Sequence, residues 1–241
     1  MDILFWTQSN PKIKVDHTTK KYFNRYLYKL VVYAPGGRLV DTRGDLDTAL
    51  EHRRQLTRHV NVGYWGYRHN KELEKADIEF LSVLRDIRRD RSLNVKLRVE
   101  EPHVQIYAAE EATLINLVKQ RFSNYSHYLE LVTAPADDEA EAVLNSGAII
   151  RKKDVGYTYK VILRDGRYDA NTKLNLLTYL KGCGVEQVGV SPTCEDMLSK
   201  SSSFIWNCYF HTNDLAILTF INLISPGIVS NYHELVVLAH K

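Results

Sequence analysis

The sequence predicts an α+β protein made of two tandem copies of one unit, and three observations carry that expectation. Tyr26-Leu-Tyr-Lys-Leu-Val-Val-Tyr33 is answered by Tyr157-Thr-Tyr-Lys-Val-Ile-Leu-Arg164, both reading Tyr-x-Tyr-Lys followed by aliphatics. Later, Ser123-Asn-Tyr-Ser-His-Tyr-Leu-Glu-Leu-Val132 is answered by Ser230-Asn-Tyr-His-Glu-Leu-Val236. Between these anchors each copy alternates period-two and helical stretches in the order strand, helix, strand, strand, helix, strand. That order is the split βαβ, or ferredoxin-like (βαββαβ), unit. The expected layout is a first unit at 1–133, a linker at 134–153 and a second unit at 154–241, arisen by internal duplication.

Taken in order, Met1 to Trp6 is a short apolar start that could add a strand or pack as an arm. Pro11 to Arg25 carries Lys12, Lys14, Lys20, Lys21 and Arg25 and reads as an extended basic lead-in. The first strand, about Leu27 to Ala34, ends at Pro35-Gly36-Gly37, a turn signal that cannot continue a ladder. Asp45 or Asp47 can accept from the free amides of a following helix, whose stripe is Leu46, Ala49 and Leu50 and whose end is basic with Arg53, Arg54 and Arg58. Val60 to Tyr67 is the expected second strand. The helix at 71–89, with Leu73, Ala76, Phe80, Leu81, Leu84 and Ile87 on one face, then has no counterpart of its length before Ser199 in the second copy and is expected to be an insertion.

Val95 to Tyr107 is strand-like on both sides of Glu100-Glu101-Pro102, where a bulge or break is expected. A helix opened by Glu110 and Glu111 buries Leu114, Ile115, Leu117 and Val118, and His127 to Val132 closes the copy. The acidic stretch Ala134 to Glu141 marks the boundary. In the second copy the expected elements are a helix at 171–181 ended by Gly182, a strand at 185–190 stopped by Ser191-Pro192, a strand at 204–211, a helix begun by Asn213 or Asp214, and a last strand after Pro226-Gly227.

At 241 residues, 44% hydrophobic and 25% charged, the chain can build two cores of about 100 residues each. It has no apolar run of the roughly 18 residues that a membrane span needs, and its start lacks a secretory signature, so a cytoplasmic protein without a membrane partner is expected. Cys183, Cys194 and Cys208 form no Cys-x-x-Cys pair and read as reduced structural thiols, with no metal site or cofactor implied. The net charge of +3 is uneven. Residues 1–133 hold 22 Lys and Arg against 17 Asp and Glu, whereas 134–241 hold 10 against 12, so a basic surplus belongs to the first part alone.

Function is read from the sheet face that helices leave open. Alternation puts Val104 and Ile106, and Trp206, Cys208 and Phe210, under the helices, which turns His103, Gln105 and Tyr107, and Asn207, Tyr209 and His211, outward. Lys29 and Tyr33, with Lys160 and Arg164, are expected on the same faces. Arg85, Arg88, Arg89, Arg91, Lys96 and Arg98 form the densest cation cluster and could face phosphates. Amide, phenol, imidazole and cation side by side can stack bases and hold phosphates, as RNA-recognition modules do, although neither copy has the aromatic-rich string of that module. The leading expectation is therefore a non-enzymatic protein binding RNA or single-stranded DNA. The alternative is an assembly component of a virus or multiprotein complex, or a homo-oligomer, suggested by 15 tyrosines.

A metal-dependent nuclease ranks third. His103-Val104-Gln105 resembles the His-hydrophobe-Gln metal motif of some rolling-circle initiators, but Glu110 to Phe122 lacks the tyrosine nucleophile. His17-Thr18-Thr19 has the His-x-Thr form of duplicated phosphoesterases without its required second copy. The tandem architecture resembles CRISPR-repeat endoribonucleases but lacks their glycine-rich loop near the C-terminus. Neither G-x-x-x-x-G-K-[ST] nor G-x-G-x-x-G occurs. No catalytic residues are assigned.

Overall fold

The computed structural model describes residues 1–42, 44–51 and 73–238. Two compact units, Met1–Asp138 and Glu139–Lys241, divide a mixed α+β fold. The first runs α1 (Ile3–Ser9), β1 (Lys14–His17), β2 (Tyr28–Tyr33), α2 (described over 46–51), α3 (Lys75–Arg89), β3 (Lys96–Glu100), β4 (His103–Ala108), α4 (Glu111–Arg121) and β5 (Leu129–Ala134). After α5 (Asp138–Asn145), the second runs β6 (Ile149–Arg151), β7 (Tyr159–Leu163), β8 (Gly166–Arg167), α6 (Ala170–Gly182), β9 (Val188–Val190), α7 (Pro192–Ser199), β10 (Phe204–Ile205), β11 (Tyr209–Thr212), α8 (Ile217–Ile224) and β12 (Val229–Val237).

Each unit holds a five-stranded mixed sheet, ordered β1-β5-β2-β4-β3 in the first and β6-β12-β7-β11-β9 in the second. In both, an edge strand lies parallel to the unit's last strand and the other pairings are antiparallel. Burial follows the alternation of the central strands. Leu30 and Val32 on β2 and Val104 and Ile106 on β4 are fully buried, as are Val161 on β7 and Phe210 on β11. Burying an aliphatic or aromatic side chain of this size stabilises the fold by about 1.5–3 kcal/mol relative to leaving it exposed.

In α3, Phe80, Leu81, Leu84 and Ile87 recur at helical spacing and are buried. The Phe80 ring packs edge-on to Phe122 at 5.3 Å and stacks on Tyr128 at 4.5 Å, which ties α3 to the end of α4 and the entry to β5. Asp77 accepts from the Glu74 amide at the start of α3 and from the Tyr128 hydroxyl at 2.8 Å. Burial first, and this hydrogen bond after it, push the Tyr128 phenol well above its ordinary value. In the second unit Asp169 caps α6 by accepting from Thr172 N at 2.9 Å, and Ser191 caps α7 ahead of Pro192. Cys194 and Cys208 are buried, unoxidised thiols, and the hydrogen bond between them, then burial, raises Cys194.

Several expectations change. Of the two expectations for the start of the chain, the packed arm rather than the added strand is found: it is a helix, α1, with Trp6 fully buried and its Nε1 donating to Glu111 Oε1 at 2.8 Å. Part of the lead-in at 11–25 is β1, an edge strand that pairs with β5. The helix at 71–89 is described from Lys75 as α3; it and α2 lie between β2 and β3, whereas α6 is the helix between β7 and β9. β3 forms a hairpin with β4 across Glu101-Pro102. What has no counterpart in the first unit's described residues is α7, between β9 and β11. The expected linker at 134–153 contains α5 and β6, and β6 joins the second sheet. The expected strand at 60–67 and Arg53, Arg54 and Arg58 lie outside the described residues.

Candidate nucleic-acid interface

Four residues of the two central strands set the uncovered face of the second sheet. With Val161, Leu163, Phe210 and Thr212 buried, period two turns Lys160, Ile162, Tyr209 and His211 the other way. Register then assigns neighbours. Lys160 pairs with His211 on one side and His233 on the other, and Ile162 pairs with Tyr209 and Asn231. The Lys160 Nζ sits 3.8 Å from the Tyr209 ring centroid, a cation over an aromatic face.

The Tyr157 ring stacks on His211 with centroids 5.8 Å apart and planes 15° apart, and its hydroxyl donates to Val185 O at 2.6 Å. Gly189 is the other cross-strand neighbour of His211. A Cβ there would meet the Tyr157 ring at 2.7 Å, so glycine lets this stack form. The His233 Nδ1 donates to Gly147 O at 2.8 Å, which leaves Nε2 to accept from the Asn231 amide at 3.3 Å. Asn231 and His233 are therefore held by chain on their own side of the sheet.

His211 has a buried Nε2 with no hydrogen-bond partner. Burial, then the nearby charges of Lys160 and Arg151, lower its pKa below the ordinary 6.5. The folded state thus disfavours the imidazolium, and an unfolded chain takes up the proton at higher pH than the folded one. The sign follows: the stability that a neutral His211 contributes is whole above about pH 6.5 and is lost as pH falls below it. Urea midpoints measured at pH 7.5, 6.5 and 5.5 should fall further for the native chain than for His211→Asn; equal falls would disprove it.

The matching face of the first sheet is organised differently. Lys29 pairs with Tyr107 and Thr133, Val31 with Gln105 and Leu131, and Tyr33 with His103. A groove of about 770 Å³ is lined by Lys12, Lys14, Lys29, His103, Gln105 and Glu130, among others. Its polar groups are largely engaged. His103 Nε2 is paired with Glu130 at 2.9 Å, and Gln105 Nε2 donates to Glu100 at 2.7 Å while its oxygen accepts from the Tyr107 hydroxyl.

Tyr107 corrects the expectation of an open face there, since only 3% of it is exposed. The turn at Phe23 and Asn24, both with positive φ, lays Tyr22 and Phe23 over its ring at 5.2 and 5.0 Å. Burial pushes its phenol up to about 12. Lys29 and Lys96 are turned onto these rings, with Nζ 5.1 Å from the Tyr22 centroid and 4.0 Å from that of Phe23. The lead-in thus covers this end of the face.

The expected cation cluster is not one phosphate-facing patch. Arg85 is buried, with Nη1 donating to Leu39 O at 2.8 Å and Thr42 Oγ1 at 2.9 Å and Nη2 donating to Gly44 O. It lies one helical turn after Leu81, on the buried stripe, and that spacing was the missed signal. Arg88 pairs with Asp41 at 2.5 Å, Arg89 donates to Gly44 O at 2.9 Å, and Arg98 pairs with Glu100 at 2.8 Å. Arg91 is exposed.

In the second unit Arg164 and Asn207 are exposed beyond the ends of β7 and β11. Trp206 was expected under the helices and is instead 49% exposed, while Ile205 is fully buried. The cause is Asn207, whose φ of 54° breaks the alternation along the strand. Sequence reading also missed Tyr157 as a site residue, although its place at the head of the repeated Tyr-x-Tyr-Lys was a signal.

Among the described residues no three His, Cys, Asp or Glu side chains converge to hold a metal ion, and no helix is long and apolar enough to cross a membrane. The chain matches no protein-family model, and no curated protein or solved structure matches it.

Proposed function

We propose that this protein binds RNA or single-stranded DNA without transforming it, chiefly through the uncovered face of the second sheet. The observation that carries the reading is Lys160 over the Tyr209 ring, beside His211 and its stacked Tyr157. A base can lie on a phenol or imidazole face while an ammonium takes the adjacent phosphate. The groove of the first sheet, with Lys12, Lys14 and Lys29 on its walls, is a second contact for the backbone. Of the first unit's other proposed contacts, Arg91 keeps its charge at an exposed position, whereas Arg85 and Tyr107 are buried and are withdrawn.

The same strand order in both sheets supports a second part of the reading: each unit is a ferredoxin-like unit with one added edge strand, and the two arose by duplication. The repeated Tyr-x-Tyr-Lys then places Lys29 and Lys160 at equivalent points. Their cross-strand partners, Tyr107 and His211, are equivalent too.

Fluorescence anisotropy with labelled single-stranded RNA and DNA at about 50 mM salt, where phosphate contacts are strong, tests the function. Lys160→Ala should weaken binding about tenfold and flatten its salt dependence by about one unit of slope. No binding by the native chain would reject the proposal. An assembly role is the second reading, favoured by Phe220 and Leu223 on α8, 55% and 76% exposed one helical turn apart. Self-association in a concentration series without nucleic-acid binding would select it.

A further inference from the structure

We propose that the ribbon of β8 and β10 extends this face into a stacking track for the unpaired bases of a single strand, with Phe204 and Trp206 as its steps and Arg164 and Arg167 holding phosphates. The inference rests on the nucleic-acid reading above and adds to it a defined substrate class, a strand whose bases are not paired.

Strand register is the first support. In the central ladder Ile162 pairs with Tyr209, and in the ribbon Gly166 pairs with Ile205 and Arg167 with Phe204. Gly166 lies four positions after Ile162 and Ile205 four before Tyr209, so β8 and β10, a two-stranded sheet of their own, keep the pairing offset of β7 and β11. The Leu163 amide, donating to Cys208 O at 2.9 Å, bridges the two.

Burial is the second support. Ile205 points into the helix-covered core alongside Leu163 and Phe210. Its strand neighbours Phe204 and Trp206 must then point away from that core, which is the side that Tyr209 and Lys160 occupy. Arg167, directly opposite Phe204, points the same way. Phe204 is 41% and Trp206 49% exposed, with ring centroids 6.2 Å apart.

The mount is well fixed. Tyr168 N donates to Ser203 O at 2.7 Å, and the Asn207 amide donates to Asp165 Oδ1 at 2.8 Å. That bond also occupies an oxygen of the one carboxylate between the two arginines. Two large rings left in water on a held ribbon, flanked by exposed guanidinium groups, fit flat faces joined by anionic linkers. A duplex presents edges and grooves but no free base faces, so it cannot use these steps.

The test uses the full chain with 5′-labelled oligo-dT and oligo-U of about 15 nucleotides and a duplex competitor of equal length. The duplex should compete at least about tenfold less well than the single strand. The double variant Phe204→Ala, Trp206→Ala should bind the single strand about tenfold or more weakly, with its circular dichroism and melting unchanged. Trp206→Phe, which keeps a ring, should bind nearly as the native chain does. Tryptophan emission should be quenched on binding in the native chain and markedly less in Trp206→Phe, which keeps only Trp6 and Trp65.

Equal competition by duplex, or native-like affinity in the double alanine variant, would overturn the track. If Lys160→Ala weakens binding while the double variant does not, the sheet-face reading stands and the track alone fails. If the native chain binds neither oligonucleotide, both fall. Self-association that the double variant abolishes would make the ribbon a protein contact instead.

Discussion

Lys173→Met is expected to destabilise the second unit by about 3 kcal/mol. Lys173 is 1% exposed, yet its ammonium donates to three main-chain oxygens, Met197 O at 2.9 Å, Ser202 O at 2.7 Å and Lys200 O. These carbonyls come from the end of α7 and the chain just after it. The last carbonyls of a helix have no partner within it, and a cation there satisfies them and complements the helix dipole. Methionine keeps the stem and its packing while removing all three donors at once.

Each acceptor left buried and unpaired costs about 1–3 kcal/mol, partly relieved where water can enter. For a unit of this size, about 3 kcal/mol corresponds to a fall in melting temperature of roughly 12–24 °C. Lys181→Met is the control. Lys181 pairs with Glu195 at 2.5 Å, but both side chains are about half exposed, and such surface pairs are worth about 0–1 kcal/mol. Urea titrations of the two variants decide the matter. A loss below about 1 kcal/mol for Lys173→Met would mean that the carbonyls find other partners.

Arg85→Met carries the next largest expected effect, about 2–4 kcal/mol of stability in the first unit. Its guanidinium joins α3 to residues 39–44 through Leu39 O, Thr42 Oγ1 and Gly44 O. A planar fork reaches acceptors on both terminal nitrogens, which a single ammonium cannot, so Arg85→Lys should recover only part of the loss. Nucleic-acid affinity at equal folded fraction should not change. Weakened binding without weakened folding would return Arg85 to the phosphate-facing set from which its burial removes it.

The contrast between these cations and Lys160 shows where sequence reading stops. Every Lys or Arg reads alike in composition, and the run from Arg85 to Arg98 reads as one cluster. On α3 the helical period decides: it carries Arg85 into the buried stripe with Leu81 and Leu84, and leaves Arg88 and Arg89 outside. Charge partners distant in sequence then decide the rest. Asp41 takes Arg88, and Phe23 lies under Lys96.

By itself the sequence determined the α+β class and the alternation that turns Lys160, Tyr209 and His211 to one side, because period two and helical spacing are local properties of the chain. It also offered Asp45 or Asp47 as a helix cap, of which Asp45 accepts from Thr48 N at 2.7 Å, and stopped a strand at Ser191-Pro192. Only the tertiary structure decided that β3 pairs with β4, that Tyr22 and Phe23 cover Tyr107, and that Trp206 faces water. Those outcomes depend on contacts between residues far apart, and on one positive φ at Asn207, whose effect on every side chain before it no local pattern records.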